Sequence, residues 1–325
     1  RTHVHRYNID VLKLLMCIVY CYAGLAKLNS DWLLNAQPLQ IWLMGKYDIP
    51  IIGEFLQWRF FHYLFSWAGA AYDLLIWIFL LYAPTRVIAF VFVVIFHVLT
   101  AILFPIGMFP YLMIFSATIF FSADFHKKIL DKIGGIFKIP PISFDNGLTP
   151  TKVGIGYHAK RDRTIQGIRS LKIPILTTFL LIQLLFPFRY LSFPGELFWT
   201  EEGYRFSWRV MLMEKAGYAN FKVVDPDTGK RFYVTNGDFL TTFQEKQMST
   251  QPDFILEYAH HLEGFYKKNK DLRDPEIYVE SYVALNGRSS QPYVDPTVDL
   301  TKIERAWWHR HSTWLMPFGD EIKGL

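Results

Sequence analysis

The chain has 325 residues, of which 51% are apolar and 18% aromatic, while only 19% are charged. One soluble core of this size does not need so much apolar surface, so the composition argues against an ordinary soluble globular protein and favours a membrane protein. The mean hydropathy of +0.15 is too low for a chain made only of membrane helices. The apolar residues must therefore be concentrated in part of the chain, and the net charge of +5 hides an uneven distribution of charge.

Five apolar stretches of 16 to 18 residues predict helices that cross the bilayer, although each is slightly short. They cover residues 11–26, 68–83, 87–104, 107–123 and 171–188. Segment 51–66 is rich in aromatic residues but includes Glu54, Arg59 and His62. These polar groups favour an interfacial or re-entrant helix over a full crossing.

A basic region follows the fourth stretch, because residues 124–172 carry ten Lys and Arg against four Asp and Glu. Basic loops beside membrane spans remain in the cytoplasm, and no nucleic-acid motif accompanies these charges. We therefore predict a cytoplasmic linker and no nucleic-acid partner. Alternation of the crossings then places Lys27, at the end of the first span, on the external side together with the C-terminal region.

Beyond residue 189 the pattern changes to that of a soluble α+β module. The predicted elements are a hairpin at 221–234 with its turn at 225–229, an amphipathic helix at 253–268, a strand at 276–285 and a tight turn at Asn286-Gly287. The fold class is thus an α-helical polytopic membrane bundle followed by an extramembrane α+β domain. The predicted domains are a transmembrane core at 1–123, the basic linker at 124–170, a further transmembrane helix at 171–188 and the extracytoplasmic (or lumenal) domain at 189–325.

Lys27 is the most unusual residue of the first span, since small residues precede it and Asp31 and Trp32 follow it. A lysine placed in hydrocarbon costs roughly 2 to 3 kcal/mol or more, so it snorkels, pairs or loses its proton. A lysine removed from water gives up its proton more readily and can act as a base near neutral pH. Composition alone favours an interfacial anchor beside Trp32, and it leaves the role of a base open.

Two further polar groups, Asp73 and His97, lie within predicted spans. Acids buried in spans usually have a function, and Asp73 could equally hold Lys27 in its charged form, which would oppose a role as base. For His97 the surrounding apolar residues favour a structural hydrogen bond or a contact between helices.

Other motifs for chemistry are weak. The histidine pairs His3/His5 and His309/His311 are two residues apart and lack matched cysteine or carboxylate ligands, so no metal site is predicted. The two cysteines lie four residues apart in one apolar run and make no disulfide framework. The sequence also lacks a phosphate-binding loop, a nucleophile elbow and an HExxH motif.

The stretch Ala23 to Trp32 resembles the AG-x-x-KL-x-x-DW signature of the vitamin K-dependent γ-glutamyl carboxylases and their bacterial membrane relatives, the HTTM family. Later segments resemble further landmarks of that family in the same order. They are Phe96-His97 with Phe104 to Tyr111, and residues 203–209, 275–278, 294–300 and 312–317. Ala26 departs from the family pattern, which has a lysine before the base. The chain begins at Arg1 without a methionine or a signal peptide, so we expect a fragment that lacks upstream helices.

This resemblance implies that Lys27 deprotonates reduced vitamin K (hydroquinone), and that the anion reacts with O2 to give a strong base. That base would remove the γ-proton of a glutamate in a peptide or protein substrate, and CO2 would add to the carbanion. The implied enzyme is a carbon-carbon lyase of the membrane that needs no metal and releases γ-carboxyglutamate and vitamin K epoxide. His97, Asp73 and Asn8, which aligns with a family asparagine, are candidates for supporting the site.

Two alternatives remain open at this point. A quinol epoxidase or related oxygen-dependent enzyme would keep the quinol chemistry without carboxylating a peptide. A membrane scaffold or binding protein without catalytic activity would use its acidic external domain to engage a partner, and Lys27 would then be replaceable.

Overall fold

The computed structural model describes residues 6–136, 163–269, 272–304 and 311–324. Part of the predicted linker, at 137–162, lies outside the described residues, as do His3, His5 and His309. Contacts divide the chain into two units, Arg1–Cys21 with Tyr72–Leu185, and Tyr22–Ala71 with Phe186–Leu325. The four domains expected from the sequence are a different division and stay a prediction.

The described residues are mostly helical. The helices are α1 (Arg6–Leu25), α2 (Ser30–Asn35), α3 (Leu39–Met44), α4 (Arg59–Leu81), α5 (Arg86–Leu103), α6 (Phe109–Ala117), α7 (Ala123–Ile136), α8 (Arg163–Leu185), α9 (Leu197–Thr200), α10 (Thr242–Met248) and α11 (Pro252–Asn269). Among the described residues, four helical stretches are long and apolar enough to cross a membrane: α1, α4, α5 and Lys172–Ser192.

The fourth predicted span, at 107–123, is shorter in the structure, where α6 and one following 3-10 turn cover only Phe109–Phe120. Pro105 has no N–H to donate, and Gly107 adopts a φ of +61°, so the chain between α5 and α6 is not helical. At its other end, Phe121 is extended and stops the helix.

The predicted separate helix at 51–66 is wrong from Arg59 onward, because α4 begins there and continues unbroken to Leu81. His62 explains how a polar residue enters this span. Its side chain is 2% exposed, and its Nε2 lies 2.8 Å from the carbonyl oxygen of Leu56. A polar ring with a partner inside the protein costs much less to bury than an unpaired one.

The C-terminal region contains a four-stranded antiparallel sheet in the order β2-β1-β3-β4. The strands are β1 (Lys215–Val224), β2 (Arg231–Tyr233), β3 (Glu276–Leu285) and β4 (Gln291–Pro292). The predicted hairpin, strand and amphipathic helix are confirmed, and the Asn286-Gly287 turn is closed by a 3.1 Å bond from Arg288 N to Leu285 O. One face of the sheet packs against α11 and is buried. For example, the rings of Phe221 and Tyr258 pack edge to face, with their centroids 4.9 Å apart.

Candidate functional site

Lys27 lies in the tight turn that follows α1, and its side chain is only 6% exposed. Its Nζ donates a hydrogen bond of 3.1 Å to Ala23 O and lies 5.2 Å from the ring centroid of Trp32. A carbonyl oxygen and an aromatic face both attract an ammonium group. The side chain therefore turns back into the protein, which does not fit an interfacial anchor whose charge reaches water.

The turn around Lys27 is fixed by its neighbours in the signature. The side chain of Asn29 makes hydrogen bonds on both sides of the turn between α1 and α2. Its Nδ2 donates to Ala26 O at 2.8 Å, and its Oδ1 caps α2 by accepting from Trp32 N at 2.9 Å. The indole of Trp32 donates to Ser66 O at 2.8 Å, and the Ser66 hydroxyl donates back to Trp32 O. The signature segment is thus attached to the first turns of α4.

Asp31 is paired with the C-terminal part of the same unit. Its carboxylate is 1% exposed and accepts two hydrogen bonds of 2.7 Å from Nη1 and Nη2 of Arg288, and a third of 2.8 Å from Asn286. Arg288 also contacts Asp320 at 2.7 Å. A bidentate arginine–carboxylate pair fixes both distance and orientation. We call Asp31, Asn286 and Arg288 the Asp31 clamp.

A second contact joins the same two segments through the backbone. Ser30 N donates to Lys323 O at 2.7 Å, and Lys323 N donates to the Ser30 hydroxyl at 3.0 Å. Asn29 and Gly324 form an isolated β-bridge. Gly324 has a φ of +123°, and a Cβ at this position would collide with Leu28 O. Only glycine fits this conformation well.

The other predicted site residues, Asn8, Asp73 and His97, belong to the first unit, whereas Lys27 belongs to the second. Asn8 is partly buried in α1, while Asp73 is 6% exposed in α4. His97 of α5 is 3% exposed, and its Nε2 lies 3.2 Å from the Tyr20 hydroxyl of α1. This contact matches the structural hydrogen bond favoured by the sequence, while a supporting role in the site stays a prediction for all three residues.

No sequence pattern indicates the partners of Asp31. The Asn286-Gly287 pair predicted a turn, and that turn brings both Asn286 and Arg288 to the carboxylate. The only signal was an acid of unassigned role close to a candidate base.

A charged cavity with a volume of about 300 Å³ lies in the C-terminal part of the described residues. Its charges are largely compensated, since Arg205 pairs with Asp253 at 2.6 Å and His311 with Glu202 at 2.8 Å. Within the described ranges, no cluster of three or more His, Cys, Asp or Glu side chains is placed to hold a metal ion.

Comparisons with protein families cover most of the chain. Residues 1–125 match the HTTM domain, and residues 168–321 match the family described as "Vitamin K-dependent gamma-carboxylase, lumenal domain". No solved structure matches the chain. Lys27 and Asp31 lie in the first match, and Arg288 lies in the second. The chain therefore belongs to the vitamin K-dependent gamma-carboxylase family.

Proposed function

We propose that this protein is a membrane enzyme that converts peptide glutamate to γ-carboxyglutamate with reduced vitamin K, O2 and CO2. Lys27 is the base that takes a proton from the quinol. The observation that carries this proposal is the position of Lys27 in the family signature, buried at the end of an apolar helix and held by a carbonyl oxygen and an indole ring.

The surroundings of Lys27 fit proton abstraction from a quinol hydroxyl. A neutral Nζ becomes an ammonium when it accepts the proton. The carbonyl of Ala23 and the ring of Trp32 are already in place to stabilise that positive charge. Burial keeps water from competing for the proton. Lys27 would thus hold the proton at Nζ while the quinol reacts.

The bound quinol would supply reducing equivalents and, together with O2, the base that removes the γ-proton. The overall reaction consumes one quinol, one O2, one CO2 and one glutamate residue. It gives one epoxide, one γ-carboxyglutamate and one water. One oxygen atom of O2 enters the epoxide and the other enters water, so the quinol is oxidised and O2 is reduced.

We further propose that Lys27 and the C-terminal domain face the extracytoplasmic or lumenal side. The Asp31 clamp joins the turn after α1 to residues 286–288, so both segments lie on one side of the membrane. The chain between them must then cross an even number of times. The helical stretches α4, α5 and Lys172–Ser192 provide three crossings. The short segment Phe109–Phe120 is the natural fourth, and the basic linker then lies in the cytoplasm.

The test is a product assay on the full chain in liposomes with reduced vitamin K, O2, labelled CO2 and a glutamate peptide. Label in the peptide together with epoxide would support the proposal. Epoxide without label would favour a quinol epoxidase, and neither product from folded protein would favour a membrane scaffold. Lys27→Ala should lower both products by about 10²- to 10⁴-fold, the usual contribution of a general base. Lys46→Ala, a nearby lysine outside the signature, is the matched control.

A further inference from the structure

Helix α7 (Ala123–Ile136) carries large apolar residues along one side. They recur every three or four positions and so form a single stripe, which consists of Phe125, Ile129, Ile133 and Ile136. No residue of α7 is buried, and Ile129, Ile133 and Ile136 are 42%, 45% and 71% exposed. The part of the chain that the structure describes therefore leaves most of this stripe uncovered.

The charged residues of α7 are ordered around the stripe. With about 100° between successive residues, Lys132 and Lys128 lie at one border of the stripe, and Lys127 lies beyond the other border. Asp124 and Asp131 lie between these lysines on the opposite side. Lysines at the borders of an apolar face can lay their apolar stems along hydrocarbon while their ammonium groups reach the polar boundary. This arrangement is typical of a helix that lies in the surface of a membrane.

The position of α7 in the chain also brings it to the bilayer surface. Only two residues separate it from the segment Phe109–Phe120, and Phe121 is extended, so α7 does not continue that segment. The Phe121 ring centroid lies 5.3 Å from that of Phe90 in α5 and 4.1 Å from that of Phe125 in α7. Phe90 is near the start of a helix long and apolar enough to span a membrane. These ring contacts therefore attach the start of α7 to the end of a candidate span.

We infer that α7 lies in the membrane surface as an interfacial helix, with its apolar stripe among the acyl chains and with Lys128 and Lys132 bound to the phosphates of anionic lipids. The topology proposed above puts α7 at the cytoplasmic surface, where anionic lipids attract basic segments beside a span. Residues 124–172 carry ten Lys and Arg against four Asp and Glu, which complements such a surface. A second copy of the chain, packed stripe against stripe, would instead bring lysines close to lysines.

This inference concerns how the chain is held in the membrane and does not depend on the reaction that Lys27 starts. Spin labels on the full chain test the position of α7. The two cysteines, Cys17 and Cys21, are first changed to alanine, and one new cysteine is then labelled. Ile129→Cys and Ile133→Cys place the label on the stripe. Gly135→Cys places it on the opposite side, where an added Cβ meets nothing within 4 Å.

Access of two reagents to each label is measured in nanodiscs of phosphatidylcholine and phosphatidylglycerol. Labels on the stripe should collide more with O2 than with a water-soluble nickel complex, because an interfacial helix buries its apolar face about 5 to 10 Å into the lipid boundary. The label at Gly135 should show the reverse. Free access of the nickel complex to both stripe positions would overturn the inference. Exclusion of both reagents would also overturn it, because protein, such as a second copy, would then cover the stripe.

Hydrogen exchange of the α7 amides in the unlabelled chain tests the anionic partner. Adding phosphatidylglycerol to phosphatidylcholine nanodiscs should slow exchange roughly fivefold for each lysine that binds it. Lys128→Gln/Lys132→Gln should lose most of this slowing. Lys230→Gln/Lys268→Gln, the same change of charge at exposed positions of the C-terminal region, should keep it.

Two results of the exchange measurement would reject the inference. One is equal exchange of the wild-type α7 amides in the two kinds of nanodisc, and the other is full slowing in Lys128→Gln/Lys132→Gln. Neither the labels nor the exchange requires quinol. A protein that forms no γ-carboxyglutamate can therefore still show an interfacial α7, and an active carboxylase can still show an α7 that stays in water.

Discussion

Replacing Arg288 by methionine should strongly destabilise the unit that contains Lys27. The substitution keeps much of the apolar volume of the side chain but removes the guanidinium that makes two 2.7 Å bonds to Asp31. The Asp31 side chain is 1% exposed, so its carboxylate would keep only the 2.8 Å bond from Asn286. Breaking a buried ion pair from one side typically costs about 3 to 5 kcal/mol. The Arg288 side chain is 18% exposed, which favours the lower end of that range.

At about 2 to 4 °C per kcal/mol for a unit of this size, a loss of about 3 kcal/mol lowers Tm by roughly 6 to 12 °C. Near-ultraviolet circular dichroism of the detergent-solubilised chain follows this transition. The double variant Asp31→Asn/Arg288→Met should lose less than Arg288→Met alone, because it leaves no unpaired buried charge. A shift below 2 °C for Arg288→Met, or a double variant that loses the sum of both single effects, would refute this reasoning.

Two further perturbations test other parts of the structure. Gly324→Ala should lower Tm by several degrees, because φ is +123° and the new Cβ meets Leu28 O, while Gly237→Ala, which has open space and no positive φ, should have little effect. Equal shifts for the two variants would contradict this account of the β-bridge. Burial lowers the pKa of Lys215, although Glu201 acts in the opposite direction. There are therefore pH values at which the Lys215 amine is protonated in the unfolded chain and has lost its proton in the folded chain. The free energy of unfolding should therefore rise with pH from the folded pKa up to the ordinary value of 10.5. Lys215→Met should lose that slope in denaturant titrations at several pH values, and an unchanged slope would assign it to another group.

Local sequence patterns were sufficient to predict much of the secondary structure. Alternation and helical periodicity predicted β3 and α11 because one face of each is buried against the other. The same reasoning failed at His62, whose polarity argued against a span. Its bond to Leu56 O satisfies the ring inside the protein, and composition alone does not reveal such a contact.

Sequence reasoning likewise identified only some residues of the candidate site. Lys27 was recognisable because an ionisable group at the end of an apolar stretch is rare and because its neighbours resemble a family signature. Arg288 was not recognisable, since 257 residues separate it from Asp31 and only the fold brings them together.

Chemical rescue of Lys27→Ala tests the role of Lys27 most directly. The substitution leaves space beside Trp32 that a small primary amine can enter, and quinol epoxidation is measured as amine is added. If Lys27 is the base, the lost rate should return in proportion to amine concentration and increase with amine basicity. Lys46→Ala should not respond to amine. Full epoxidation by Lys27→Ala without amine, or no rescue in a folded variant by amines that enter the site, would contradict the assignment of Lys27 as the base.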